Sequence, residues 1–327
     1  GEEPAEYAAI LPTRYEHTEG YHIEPVDSIS TVLEQFYASR SLYTRMRQKS
    51  VDLRKIVSTH LERSSKKLDL QLKQLKDTEK RDKFKVYGEL LNTYGYQVTE
   101  GAKSVEVPNY YTGEMLTIPL DETLSPLDNA KKYFARYNKL KRTFEALNTQ
   151  TEETKAEIAH LQTIQAALAI AESEDDLAQI RDELETYGYI RRKMNGKKKQ
   201  KSKSKPFHYR SSDGFDIYVG KNNFQNDELT FKVANGNDWW FHAKGMPGSH
   251  VIVKTEGREL PDRTFEEAGR LAGYYSSGRD NEKIEIDYLQ RKNVKKPNGA
   301  VAGYVIYYTN YSLTIHPDIS GIEKISE

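Results

Sequence analysis

The 327 residues carry 49 Lys and Arg against 49 Asp and Glu, so any affinity for nucleic acid has to come from local patches and not from a net field. The absence of cysteine removes disulfides, thiolate metal sites and cysteine nucleophiles together, in keeping with a cytoplasmic protein. No apolar run reaches the roughly 18 residues needed to cross a bilayer, and the length suits roughly two domains.

The chain opens at Gly1-Glu2-Glu3-Pro4 without an initiator Met, which reads as a fragment of a longer protein; residues 1–28 read as the remnant of a preceding domain. Asp27-Ser28-Ile29-Ser30 supplies capping oxygens ahead of Val32, Leu33 and Phe36, and no proline follows until Pro108, so a long helix is predicted from 29. Along it Val57, Leu61, Ser64, Leu68, Gln71 and Leu75 alternate steps of four and three, with Leu72 widening the stripe. A second seam, Tyr133, Tyr137, Leu140, Phe144, Leu147, Thr151, Thr154, Ile158, Leu161, Gln165 and Leu168, keeps the same rhythm. Two such helices separated by an insert predict an antiparallel coiled coil over 29–190, an arm roughly 60 Å long at the rise of an α-helix. The insert, about 96–120, reads as a small tip in which Ser104–Tyr111 and Glu114–Pro119 flank a Thr112-Gly113 turn in a β-hairpin. Tyr110 and Tyr111 there either fill a tiny core or touch a partner.

Ser173-Glu174-Asp175-Asp176 is a capping box for a short helix over 174–187 with the stripe Leu177, Ile180, Leu184 and Tyr187, stopped by Gly188. Composition then changes abruptly. Between 191 and 206, Arg191, Arg192, Lys193, Lys197, Lys198, Lys199, Lys201, Lys203 and Lys205 crowd together with no acidic residue, which predicts a flexible basic linker able to contact phosphates. The terminal domain, 207–327, is predicted to be α+β with a mostly antiparallel sheet. Its strands are expected near Phe207–Tyr209, Phe215–Val219, Leu229–Val233 and Lys283–Tyr288, with a closing hairpin of Gly303–Tyr307 and Ser312–His316. One helix opens at the capping box Thr264-Phe265-Glu266-Glu267 and presents Ala268, Gly269, Ala272 and Gly273 as a small face.

The densest stretch is Asn237 to Val253, two β-prone runs joined by Gly245-Met246-Pro247-Gly248 and holding both tryptophans. Period-two alternation places Trp239 and Phe241 on one face and Trp240 and His242 on the other. With the first pair in the core, Trp240 and His242 are expected at the surface beside the Asn222–Asn226 loop and Lys295-Lys296-Pro297, where a ring and ammonium groups would hold a splayed base and its phosphates. Catalysis is poorly supported. Ser249 and His250 are adjacent and point to opposite faces, and there is no Gly-x-Ser-x-Gly elbow. No third ligand joins His242 and His250 in a metal-binding spacing, no phosphate loop follows a strand, and no cofactor is expected.

The series Ile217-Tyr218-Val219-Gly220-Lys221-Asn222-Asn223, Gln225-Asn226-Asp227, Asn237-Asp238-Trp239-Trp240-Phe241-His242, Pro247-Gly248-Ser249-His250-Val251 and Val294-Lys295-Lys296-Pro297 resembles the NFACT-R domain of the NFACT family. Gly88-Glu89-Leu90-Leu91, Asn109-Tyr110-Tyr111 and Asn129-Ala130-Lys131-Lys132-Tyr133-Phe134 resemble that family's middle coiled coil. The resemblance implies a cytoplasmic ribosome quality control factor, a binding protein and not an enzyme, that binds rRNA of an obstructed large ribosomal subunit and tRNA and supports C-terminal alanine tailing. The portion that recruits charged tRNA in the family is expected outside this chain. An older family name implies the alternative of a cell-surface adhesin binding fibronectin. Motifs and chemistry together single out Lys221, Asn222, Asn226, Asp227, Trp240, His242, Ser249, His250, Lys295, Lys296, Lys197, Lys198 and Lys199 as RNA contacts.

Overall fold

The computed structural model describes residues 28–191 and 204–325; the remnant up to residue 27 and Lys197, Lys198 and Lys199 lie outside them. The chain divides into two compact units, 62–158 and the combination of 1–61 with 159–327. That division falls inside the two long helices, not at the basic stretch where the composition changes.

The unit 62–158 holds part of α1 (Ile29–Asp77), α2 (Arg81–Tyr94), the antiparallel hairpin β1 (Ser104–Pro108) and β2 (Met115–Pro119), and part of α3 (Pro126–Ile170). α1 and α3 run antiparallel: Ser64 donates to Glu157 at 3.1 Å, while further on the Arg81 guanidinium lies 4.0 Å from the centre of the Phe144 ring. The seam is as polar as the sequence implied, for Ser64, Gln71, Thr151 and Thr154 are all buried in it. Leu72 is exposed and does not widen it. The hairpin rests on α2 and the start of α3 through Tyr87, Leu90, Leu91, Val107, Ile118 and Ala130. Gly88 is required there, because a Cβ would stand 2.8 Å from the Phe134 ring. Tyr110 and Tyr111 do not fill this core. Both are exposed, their ring centroids 4.6 Å apart, and the Tyr111 hydroxyl donates to Glu89 at 2.7 Å.

In the second unit α1 and α3 are joined by α4 (Glu174–Thr186), whose Ser173–Asp176 capping box forms as read from the sequence. Leu53, Val57, Leu161, Ile164, Leu168, Leu177, Ile180 and Leu184 close a three-helix core. Here the predicted seam of α3 slips: Ile164 is buried and Gln165 exposed. A straight helix at 3.6 residues per turn drifts off a 3.5 repeat, and a third helix gives the drifted face something to pack against.

The end domain is one antiparallel sheet in the order β8-β7-β5-β6-β4-β3-β9, formed by β3 (Phe207–Arg210), β4 (Asp216–Val219), β5 (Trp239–Ala243), β6 (Val251–Val253), β7 (Ile284–Gln290), β8 (Tyr311–Ile315) and β9 (Glu323–Lys324). Helix α6 (Asp262–Tyr274) covers one face, packing its Ala268, Leu271 and Ala272 with Phe241, Val251 and Ile286 of the sheet. It lies close to β8 because Gly269 and Gly273 lack side chains; a Cβ on either would come within 2.8 Å of Leu313 or 2.7 Å of Ile315. The helix begins at Asp262 after Pro261, two residues before the predicted box. Thr264 and Glu267 instead bond Asp213 and Ser212, pinning the β3–β4 turn.

Two predicted elements are replaced. Leu229–Val233 is a π-helical turn and not a strand, continuing α5 (Asn223–Glu228) with Ala234 N–H on the Leu229 carbonyl at 2.8 Å. The closing hairpin does not form: β8 pairs with β7, while Ile306 makes an isolated reciprocal bridge with Lys295.

Candidate nucleic-acid interface

Strand β5 fixes the register of everything around it. Phe241 is fully buried under α6, and Trp239 is partly buried, edge-on to Phe265 at 4.8 Å. The opposite face is covered as well. Trp240 has no exposed surface and is packed among Leu229, Ala234, Ile252, Leu289 and Val294, with Tyr307 5.3 Å from its ring. The expectation of a surface Trp240 is therefore overturned. The cover is the π-turn that follows α5, read from the sequence as a strand, together with the loop after β7, read as a polar loop. Its indole Nε1 has no hydrogen-bond partner among the described residues.

His242 and His250 sit beside it, rings 5.6 Å apart, and His250 Nδ1 hydrogen-bonds with Thr230 Oγ1 at 2.8 Å. Burial drives the His242 imidazole down to about 4, and burial followed by the neighbouring His242 holds His250 well below its ordinary range. Both are neutral at pH 7. His250 is buried and the partly buried His242 belongs to the same packed layer, so neither offers a cation to phosphate.

The amide-rich segment is not a loop. Asn222 caps α5, accepting from Gln225 N–H at 3.0 Å and donating to Gln179 of α4 at 2.7 Å. Asn226 accepts the His250 N–H at 3.0 Å, so α5 is tied to the start of β6. Asn223 donates to Thr163 and to Glu183, both at 2.7 Å, and the Glu183 carboxylate also bonds His160 at 3.0 Å. Lys221 lies 3.3 Å from Asp176 and over the Phe207 ring. Burial pushes the Asp176 carboxyl up, but bonds from Ser204, the Glu172 backbone and Ser173, with the Lys221 charge, outweigh it and leave it below the ordinary range. Asn222, Asn223, Asn226 and Ser249 are all buried. These side chains seat the end domain on α3 and α4; they are scaffold, and the structure does not bring them to a surface. A polar row on α4, Asp176, Gln179 and Glu183 at i, i+3 and i+7, beside its apolar stripe, was the signal for this contact.

What reaches solvent is basic. After β7 the chain makes a tight turn, Arg291–Asn293, whose backbone N–H groups bond Asp238 at 2.8 Å and Gly236 at 3.0 Å. Arg291 Nε donates to the Thr230 carbonyl at 2.6 Å, and Val294 plugs the core beneath Trp240. Lys295 is clamped by its paired backbone bonds to Ile306, and Lys296 bonds Asp227, whose other oxygen accepts the Gly303 N–H. Lys292, Lys295 and Lys296 are thus carried on a pinned backbone at the surface, with exposed Lys232 on the adjoining π-turn. Among the described residues singled out beforehand, only Lys295 and Lys296, with Asp227 as the partner of Lys296, belong to this surface. Lys232 was missed because it was read into a strand. Among the described residues no cluster of His, Asp and Glu has metal-binding geometry, and no helix is long and apolar enough to cross a membrane.

Two family models match: NFACT N-terminal and middle domains over residues 1–203, and NFACT protein RNA binding domain over residues 205–307. The chain belongs to the NFACT family. It is 39% identical over 300 residues to the Rqc2 homolog RqcH of Streptococcus suis, covering 91% of this chain and 54% of that protein. It is 35% identical over 305 residues to the Rqc2 homolog RqcH of Bacillus subtilis, covering 92% and 53%. The chain spans about half the length of these curated relatives. The solved structure of the C-terminal part of the fibronectin/fibrinogen-binding protein from Streptococcus suis superposes with a TM-score of 0.68 at 34% identity, covering 86% of this chain and all of that one. The NFACT chain is thus a member of a ribosome quality control factor family and carries that family's RNA-binding domain; the basic turn Arg291–Lys296 lies within it.

Proposed function

We propose that this chain is the helical and RNA-binding portion of a factor that engages a large ribosomal subunit obstructed by peptidyl-tRNA and supports untemplated C-terminal alanine tailing of the stalled chain. In this reading the protein is cytoplasmic and contributes binding, while the ribosome forms the peptide bonds. The observation that carries the RNA-binding part is the turn Arg291–Lys296: Val294 and five backbone bonds hold it, so Lys292 and Lys295 face solvent without losing backbone entropy on binding. Lysines so placed contact phosphate, which positions a protein on RNA without reading sequence.

The direct test is the salt dependence of ribosome and tRNA binding by wild type and by a Lys232→Gln, Lys292→Gln, Lys295→Gln variant. Removing one lysine–phosphate pair lowers the log–log slope by about 0.7 to 0.9, so a slope reduced by about two to three is expected. An unchanged slope with an unchanged melting transition would remove this face from the interface. Because the similar Streptococcus suis structure is described as a fibronectin/fibrinogen-binding protein, the competing reading is a fibronectin-binding adhesin. Partition of the full-length protein between polysome and cell-surface fractions separates the two.

A further inference from the structure

The two edges of the seven-stranded sheet are built differently. β9 is two residues, Glu323 and Lys324, charged and short. β8 at the other edge is Tyr311-Ser312-Leu313-Thr314-Ile315, five residues with no charge, no proline and an unbroken register on β7. Sheet edges left long and uncharged are templates for another strand, and folded proteins ordinarily blunt them.

The register says which backbone groups are free. Lys244 N–H bonds the Glu285 carbonyl at 2.9 Å, so residues 285, 287 and 289 of β7 direct their N–H and C=O toward β5, and 284, 286 and 288 direct theirs toward β8. Their partners are Ile315, Leu313 and Tyr311. The N–H and C=O of Ser312 and Thr314 therefore point off the sheet, and among the described residues nothing accepts from or donates to them. Alongside runs an open groove of about 510 Å³ between α6 and β8, lined by Glu266, Arg270, Thr314, Ile315, His316 and Asp318. Arg270 is already committed, donating to the Asp318 and Ser320 carbonyls with the Asp318 carboxylate 3.8 Å away. Exposed Glu266 is left as the charge that a ligand would meet.

We propose that the β8 edge is a binding site for an extended peptide segment of another protein, which adds as an eighth strand on Ser312 and Thr314, lies in the α6–β8 groove and carries a Lys or Arg opposite Glu266. Backbone pairing supplies the affinity and the groove the selectivity, as in strand addition generally. The site uses none of the lysines assigned to RNA, so it stands or falls apart from the proposed function.

The test is selection from a phage-displayed library of random 12-residue peptides on the full 327-residue chain, with enriched peptides synthesised and measured by titration. Two variants serve as controls. Thr314→Pro removes an outward N–H that bonds nothing inside the sheet, and proline is tolerated at such edge positions; Thr314→Lys keeps the N–H and blunts the edge with charge. Expected are peptides of alternating β-prone residues containing a Lys or Arg. They should bind wild type at least tenfold more tightly than either variant, and several-fold more tightly than Glu266→Gln, with amide shifts at Ser312 and Thr314. No enrichment, equal binding to wild type and to a Thr314→Lys variant of unchanged melting, or self-association of wild type that Thr314→Lys abolishes would overturn the proposal, the last by making a second copy the occupant.

Discussion

Replacing Trp240 by Ala separates a core indole from a base-stacking one. The ring has no exposed surface and is enclosed by Leu229, Ala234, Ile252, Leu289, Val294 and Tyr307. Truncating a buried aromatic to Ala costs about 3–5 kcal/mol, which for a domain of this size lowers the midpoint of melting by roughly 10–20 °C. Trp240→Phe is the graded control: Nε1 has no partner among the described residues, so the smaller ring forfeits apolar packing only, about 1–2 kcal/mol. The chain's two tryptophans are both in β5. Trp239 fluorescence therefore follows unfolding of the end domain alone, even in the variant. Urea titration in the cold, with RNA binding measured where the variant is still folded, gives both quantities from one preparation. The expected pattern is a large loss of stability with little change in RNA affinity of the folded protein. A variant that melts within about 1 kcal/mol of the parent and binds RNA tenfold more weakly would refute the packing argument and restore Trp240 as an RNA-stacking residue.

Gly220→Ala should destabilise the end domain by about 1–3 kcal/mol, because its Cβ would meet Asn226 Oδ1 and stand 3.0 Å from the Asn226 backbone nitrogen, breaking the bond to His250; a neutral result in chemical denaturation would refute the rigidity of that corner. Stability should also fall with acid. His242 and His250 stay neutral in the fold while the unfolded chain takes up protons below about pH 6.5, so unfolding is favoured as pH drops from about 6.5 toward 4, by a few kcal/mol. Trp fluorescence melts at pH 7, 6, 5 and 4.5 measure this, and a slope that is flat, or that is unaltered in His242→Gln, contradicts it. Substituting Lys197, Lys198, Lys199, Lys201 and Lys203 by Gln should lower the salt slope of RNA binding by about 0.7 to 0.9 for each phosphate they neutralise. An unchanged slope would make that stretch a spacer.

The amino-acid sequence alone determined the elements whose information is local. Heptad steps from Val57 to Leu75 and from Tyr133 to Leu161, the Ser173–Asp176 capping box and the Thr112-Gly113 hairpin each arise from neighbours a few residues apart, and each appears in the fold. The family was legible too, since its motifs are strings of residues. Exposure was not. Asn222, Asn223, Asn226 and Lys221 look like a ligand-gripping loop until Gln179, Glu183 and Asp176, some 40 residues earlier in the chain, are brought against them. Alternation in β5 correctly assigned Trp239 and Trp240 to opposite faces, but whether a second layer covers a face depends on what the rest of the chain places there. Here the π-turn, Ala234, Val294 and Tyr307 covered it. The polarity of a side chain states only that it needs a partner; tertiary structure decides whether that partner is water, RNA or another part of the same chain.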